Sequence, residues 1–257
     1  MNKFVVDNLS VFVSPNRSGM GKLASDFVAE KVKTAIADTG RARMIFAAAA
    51  SQTEFLEHFR SRDDIKWEAI TAFHMDEYLG LDEQAPQRFG NFLKEHLFNH
   101  VPCKQVELIQ SSAPDLENEI TRYARLLQEE PIDVCCLGIG ENGHLAFNDP
   151  PVADFDDPVW VKEVELDSIC RQQQVNDGAF QHIRQVPKTA LTLTIPALLS
   201  ATTLSAVVPG PTKARAVNDT LTQTLQTRYP STILRSHPDA RLFLDQESSV
   251  YLNVNEL

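Results

Sequence analysis

The segment from Ile132 to Gly140, IDVCCLGIG, constrains the fold most. After Asp133 it is apolar without alternation, and it closes on glycines. A strand with one wet face alternates apolar and polar residues. An unbroken apolar strand is covered on both faces, which is the place of a central strand in a parallel sheet. The flanking sequence fits. Leu9 to Pro15, Ala42 to Ala50, Trp67 to Met75, a short VELI, Thr203 to Val208 and Ala240 to Asp245 read as strands. Met20 to Ala37, the segment after Ser51, Arg88 to His100, Pro114 to Glu129 and Thr212 to Leu225 read as helices. Ser51, with Glu54 three residues on, has the pattern of a capping box. The alternation predicts an α/β protein: a doubly wound, mostly parallel, Rossmann-like sheet with helices on both faces. With 257 residues and no linker or repeat, residues 1–257 read as a single domain.

Charge narrows the function. Lys and Arg number 24 against 35 Asp and Glu, a formal charge of -11. That field repels phosphate backbones, so nucleic acid is not an expected partner, and an anionic small ligand needs a local cationic pocket. Cys103, Cys135, Cys136 and Cys170 form no Cys-x-x-Cys, so neither a disulfide framework nor a zinc site is expected. No segment has the length of a signal peptide core or a membrane span, which points to the cytoplasm.

In doubly wound sheets ligands lie beyond the carboxyl ends of the strands. Four such ends carry polar or glycine-rich sequence here: Ser51-Gln52, Asp76-Glu77, Gly138 to Asn148, and Gly210 to Lys213. Gly138, Gly140 and Gly143 match G-x-G-x-x-G, but His144, Asn148 and two prolines follow where a dinucleotide site needs a helix. The glycines instead let backbone amides approach a polar ligand closely. His144 lies five residues before Asp149, and the two suit an acid–base pair or a structural one. Asp76 reads equally as a turn residue or as a carboxylate base at the sheet mouth. Lys213, in the first turn of a helix, opposes the macrodipole unless an anion binds there.

Taken together, MDEYLGL, GxGxxGHxAFN, QVPKTALTLTIPALL, GPTKA and LRSH-x₄-LFLD resemble the glucosamine-6-phosphate deaminase (isomerase) family, which shares its fold with 6-phosphogluconolactonases. The resemblance spans nearly the whole chain, and HLAFNDP and MDEYLGL look like the deaminase branch. It implies an amino-sugar phosphate substrate, opening of the pyranose ring, proton movement from carbon 2 to carbon 1, and release of ammonia, without metal or organic cofactor. On matching positions Asp76 would shuttle the proton, His144 would assist ring opening, Asp149 and Asn142 would support it, and Lys213 would hold the phosphate. Ser51, Gln52, Glu77, Gly140 and Gly143 would line the substrate site, with Arg171 as a second phosphate ligand. Lactone hydrolysis of a sugar-acid phosphate is the rival enzymatic reading. A non-catalytic sugar-phosphate sensor is another, though no helix-turn-helix segment precedes Leu9. The family includes monomers and hexamers, so a homo-oligomer is compatible with it.

The chain departs from that family in three places. Asn142 stands where the family carries Asp, and Asp149 replaces a Glu one methylene longer. AAAASQ (Ala47 to Gln52) replaces a glycine-rich turn. The loop PPVADFDDP also lacks the basic residues of allosteric members, so activation by an acetylated sugar phosphate is not expected. These departures leave the sugar open between the gluco and galacto epimers.

Overall fold

A computed structural model describes residues 2–253; Met1 and residues 254–257 of the expected single domain lie outside the described residues. Eleven strands are described: β1 (Asn2–Val6), β2 (Leu9–Ser14), β3 (Ala42–Phe46), β4 (Ile70–His74), β5 (Asp76–Tyr78), β6 (Gln105–Glu107), β7 (Val134–Leu137), β8 (Val161–Glu165), β9 (Thr189–Leu193), β10 (Thr203–Val208) and β11 (Ala240–Asp245). The helices are α1 (Arg17–Thr39), α2 (Thr53–Arg60), α3 (Phe89–Leu93), α4 (Leu116–Gln128), α5 (Ser168–Asn176), α6 (Ile195–Leu199) and α7 (Ala214–Thr222). No described helix is long and apolar enough to cross a membrane.

Eight strands form one sheet in the order β1-β2-β11-β10-β7-β3-β4-β6. Only the β1–β2 hairpin is antiparallel; all other pairs run parallel. The apolar run supplies β7, between β10 and β3. Its alternate side chains enter two separate cores: Cys136 joins the cluster holding Met44, Phe46 and Phe27, and Cys135 joins the one holding Ile45, Phe73 and Leu221. Helices α1 and α2 cover the first face; Tyr123, Leu198 and Val217 from α4, α6 and α7 cover the second. A strand between two dry layers has no polar face to show, which accounts for its lack of alternation. The cysteines are free, and Cys135, Cys136 and Cys170 are buried.

The second sheet is an addition to the sequence expectation. β5, β9 and β8 pair antiparallel in the order β5-β9-β8. The segment read as one strand from Trp67 to Met75 is a 3₁₀ turn at Trp67–Ala69 followed by β4, and the chain then enters the other sheet as β5. The expected capping box at Ser51 does not form. Ser51 lies in a 3₁₀ turn, Gln52 precedes α2 without a side-chain cap, and Arg17 holds Glu54 at 2.7 and 3.1 Å. Two ionic bonds to Arg17 leave Glu54 no reason to turn back to the backbone. The strand from Ala42 stops at Phe46, so Ala47 to Ala49 turn out of the sheet. Arg88 to His100 is α3 running into a π-helical turn, Lys94–Phe98.

Candidate active site

In the parallel part of the sheet, β3, β4, β7 and β10 end on the same edge, with Phe46 opposite Cys136 and Ala206 opposite Leu137. The loops that leave them surround one cavity. Ser51, Gln52, Asp76, Gly140, His144 and Lys213 all line it, together with Ala47–Ala49, Met75, Phe89, Gly138, Phe147, Gln173 and Gln174. Four distant sequence segments thus converge at the strand ends, as a doubly wound sheet requires.

Asp76 is held by two sheets at once. It directly follows β4 and Met75, and it pairs with Thr192 as the first residue of β5. Leu193 N–H donates to Met75 O at 2.8 Å, which fixes the crossing. Burial, then the neighbouring Glu77 charge, push the Asp76 carboxyl well above the usual carboxylate range. No hydrogen-bond donor stabilises it among the described residues. A desolvated carboxylate without donors is a stronger base than one in water.

His144 sits on a turn that glycine makes possible. Gly143 has φ +84, a left-handed value that suits glycine. Gly140 N–H donates to His144 O at 3.0 Å, and a β-carbon on Gly140 would fall 2.1–2.3 Å from the imidazole. We therefore expect Gly140→Ala to displace the ring. Turnover should fall by about 100-fold or more, the range of one general acid–base group, with an unchanged circular dichroism spectrum. Retained turnover in that variant would remove His144 from the mechanism.

The His144 ring is oriented through Nδ1. It lies 2.8 Å from Asn142 Oδ1 and 3.0 Å from Asp149 Oδ1. Asn142 Nδ2 donates to the same Asp149 oxygen at 2.9 Å, and Asp167 N–H reaches Asp149 Oδ2 at 3.3 Å. The shorter Asp149 side chain therefore still reaches the ring. Burial raises its carboxyl, but the hydrogen bond and charge of His144, then Asn142 and the Asp167 amide, hold it below the usual range. With Nδ1 occupied, Nε2 is the nitrogen left for a ligand. Ala146, in the following turn, has φ +50 and carries backbone strain beside the cavity.

Lys213 reaches the cavity through Gly210, whose φ +87 and ψ 158 are open essentially to glycine alone. Gly210 N–H donates to both Asp245 oxygens at 3.1 Å, which pins the turn. Lys213 ends a 3₁₀ turn, Pro211–Lys213, that runs into α7, so it stands at the helix mouth rather than inside the first turn. It is 4% exposed. Burial lowers its ammonium, partly offset by Asp177 and Glu141. No carboxylate lies within ion-pair distance of it among the described residues.

Three residues expected to contact the ligand lie outside the cavity. Glu77 does not line the cavity. Its carboxylate accepts N–H bonds from Tyr78 and Phe89 at 3.0 Å and from Gly90 at 2.9 Å, so it ties β5 to the start of α3. Arg171 is also turned away. Its guanidinium donates to the carbonyls of Ile183, Val186 and Pro187 at 2.7–3.1 Å. The cavity takes Gln173 and Gln174 from that helix instead, residues the sequence reading missed. Cys170, Gln173 and Gln174 are its buried side chains, spaced at i, i+3 and i+4, and Arg171 falls off that face. Arg171→Ala should therefore lower the melting temperature without a large change in KM. A KM increase matching that of a Lys213 variant would restore Arg171 as a phosphate ligand. Gly143 also lies behind the cavity wall, near Ser231, and serves the turn rather than the ligand.

Comparison with known proteins matches residues 15–243 to the family described as glucosamine-6-phosphate isomerases/6-phosphogluconolactonase. A glucosamine-6-phosphate deaminase of Lactobacillus delbrueckii subsp. bulgaricus is 30% identical over 244 residues, covering 95% of this chain and 100% of that protein. One of Streptococcus sanguinis is 32% identical, covering 89% and 92%. The solved structure of a monomeric glucosamine-6-phosphate deaminase superposes with a TM-score of 0.86 at 25% identity, covering 94% and 99%. A 6-phosphogluconolactonase from Thermotoga maritima has a TM-score of 0.73 at 17% identity, a likeness of fold.

Proposed function

The chain belongs to the glucosamine-6-phosphate isomerase/6-phosphogluconolactonase family of enzymes, and we propose that it converts a hexosamine 6-phosphate and water to a ketose 6-phosphate and ammonia. The observation that carries this reading is one cavity holding a desolvated carboxylate, an oriented histidine and a buried unpaired lysine.

Each group suits one step. Lys213 binds the non-reacting phosphate, and that binding energy orients the sugar. His144 Nε2 exchanges a proton with the ring oxygen to open the pyranose, while Asp149 and Asn142 hold Nδ1. Asp76 takes the proton from carbon 2 and returns it to carbon 1, which moves the carbonyl character to carbon 2. Water adds at carbon 2 and ammonia leaves. The two carboxyls are driven apart by their surroundings, Asp76 upward and Asp149 downward. That division separates a base that must exchange protons from a carboxylate that must stay charged. Ser51 and Gln52 line the wall where sugar hydroxyls lie. We place the enzyme in the cytoplasm, where sugar phosphates are metabolised.

The test pairs two assays on the purified protein. Ammonia release from glucosamine 6-phosphate or galactosamine 6-phosphate, with no acid release from 6-phosphogluconolactone, is expected and names the epimer. Acid release alone would make the protein a lactonase. Stabilisation by sugar phosphates without either reaction would make it a sensor.

A further inference from the structure

The proton relay uses His144 and Asp149 and leaves Cys170 unexplained. Cys170 lies on α5 with no exposed surface, close to that pair. A ring nitrogen of His144, a carboxylate oxygen of Asp149 and Cys170 Sγ all lie within 4.8 Å of one another. All three residues are buried. His144 also lines the cavity, which gives the group an entrance.

The electrostatics of this place favour a cation. Asp149 brings a carboxylate to the group, and a divalent ion bound there can displace the thiol proton of Cys170. No lysine or arginine within ion-pair distance neutralises Asp149 among the described residues; its ionic contact is His144. Three donors, one each of nitrogen, oxygen and sulfur, suit a borderline-soft ion, whereas Mg²⁺ and Ca²⁺ take oxygen donors.

We infer that His144, Asp149 and Cys170 form a binding site for a soft divalent cation of the Zn²⁺ class, reached through the substrate cavity, and that its occupancy switches the catalytic relay off. On binding, Cys170 releases its thiol proton to solvent and its sulfur donates a lone pair to the metal. The Nδ1 proton of His144 passes through solvent to Nε2, so the neutral ring coordinates through Nδ1, and Asp149 exchanges its bond to the ring for a bond to the metal. Water completes the coordination. A metal-bound ring can no longer be held by Asp149 as an imidazolium, so proton exchange at the sugar ring oxygen stops. The inhibitory half of this inference rests on the proposed deaminase reaction; the binding half does not.

Titration of the protein with Co²⁺ tests the binding half. Wild type should develop the near-ultraviolet sulfur-to-cobalt charge-transfer absorption of a bound thiolate, and Zn²⁺ should displace it. Cys170→Ser should abolish the band, and Cys103→Ser should keep it. In turnover assays Zn²⁺ should inhibit wild type reversibly on chelation. Measured against each protein's own metal-free turnover, Cys170→Ala should need at least about tenfold more Zn²⁺ than wild type for the same fractional inhibition. Absence of the band in wild type, its survival in Cys170→Ser, or equal Zn²⁺ sensitivity of wild type and Cys170→Ala would overturn the inference. A band in a protein without deaminase turnover would overturn the reaction and leave the metal site standing.

Discussion

Asp76→Asn should lower kcat by about 100- to 10,000-fold, the contribution of one positioned acid–base group, with little change in KM. Asn fills the same space between β4 and β9 but cannot accept the carbon 2 proton. Wild type should show the matching pH dependence. The proposed reaction uses the Asp76 carboxylate, and burial beside Glu77 raises its pKa. The acid limb of the rate profile should therefore lie above the ordinary carboxylate range near pH 4. The stability effect has the opposite sense to the activity effect. A carboxyl whose folded pKa is raised stabilises the fold below its unfolded pKa, and that contribution disappears as pH rises through the folded value. At neutral and higher pH the uncharged Asn should melt no lower than wild type. A destabilised, inactive variant would mean that Asp76 holds the strands together and does no chemistry.

Lys213→Met should raise KM by about 10- to 100-fold, equivalent to the 1.5–3 kcal/mol of a hydrogen bond to a charged group. The cause is local. The chain carries a charge of -11, and in the proposed reaction the substrate phosphate depends on one buried ammonium with no carboxylate within ion-pair distance among the described residues. Burial lowers the folded pKa of Lys213, so the unliganded fold holds this charge at a cost. Met has similar bulk without the charge. The apo variant should melt at or above wild type, whereas the rise in melting temperature with inorganic phosphate should shrink. An unchanged KM would place the phosphate elsewhere along the cavity.

These two residues also show how much was legible in the sequence. Asp76 and Lys213 each follow a strand-like run and stand at its carboxyl end, where strand period and ligand position are both local signals. The glycines before His144 carried the same kind of information: Gly140 gives way to an imidazole, and Gly143 takes a left-handed turn. Glu77 and Arg171 were misplaced because their partners are backbone groups. Nothing in the neighbouring residues announces that Glu77 meets the Phe89 and Gly90 amides, or that Arg171 meets three carbonyls across a loop. The second sheet was hidden for a related reason. β5 has three residues and continues directly from β4, and its partner β9 lies more than a hundred residues away. Length and period carry no signal at that scale, and long-range pairing decides the structure. The capping box at Ser51 failed to a competitor, Arg17, that no local pattern contains.

Ammonia release from glucosamine 6-phosphate and galactosamine 6-phosphate, measured side by side for wild type and Asp76→Asn at saturating substrate, tests the central claim most directly. Turnover of one epimer by wild type, lost in a variant that still folds and still binds that substrate, is the predicted result. Equal ammonia release by both proteins, or none from wild type with either sugar, would contradict it.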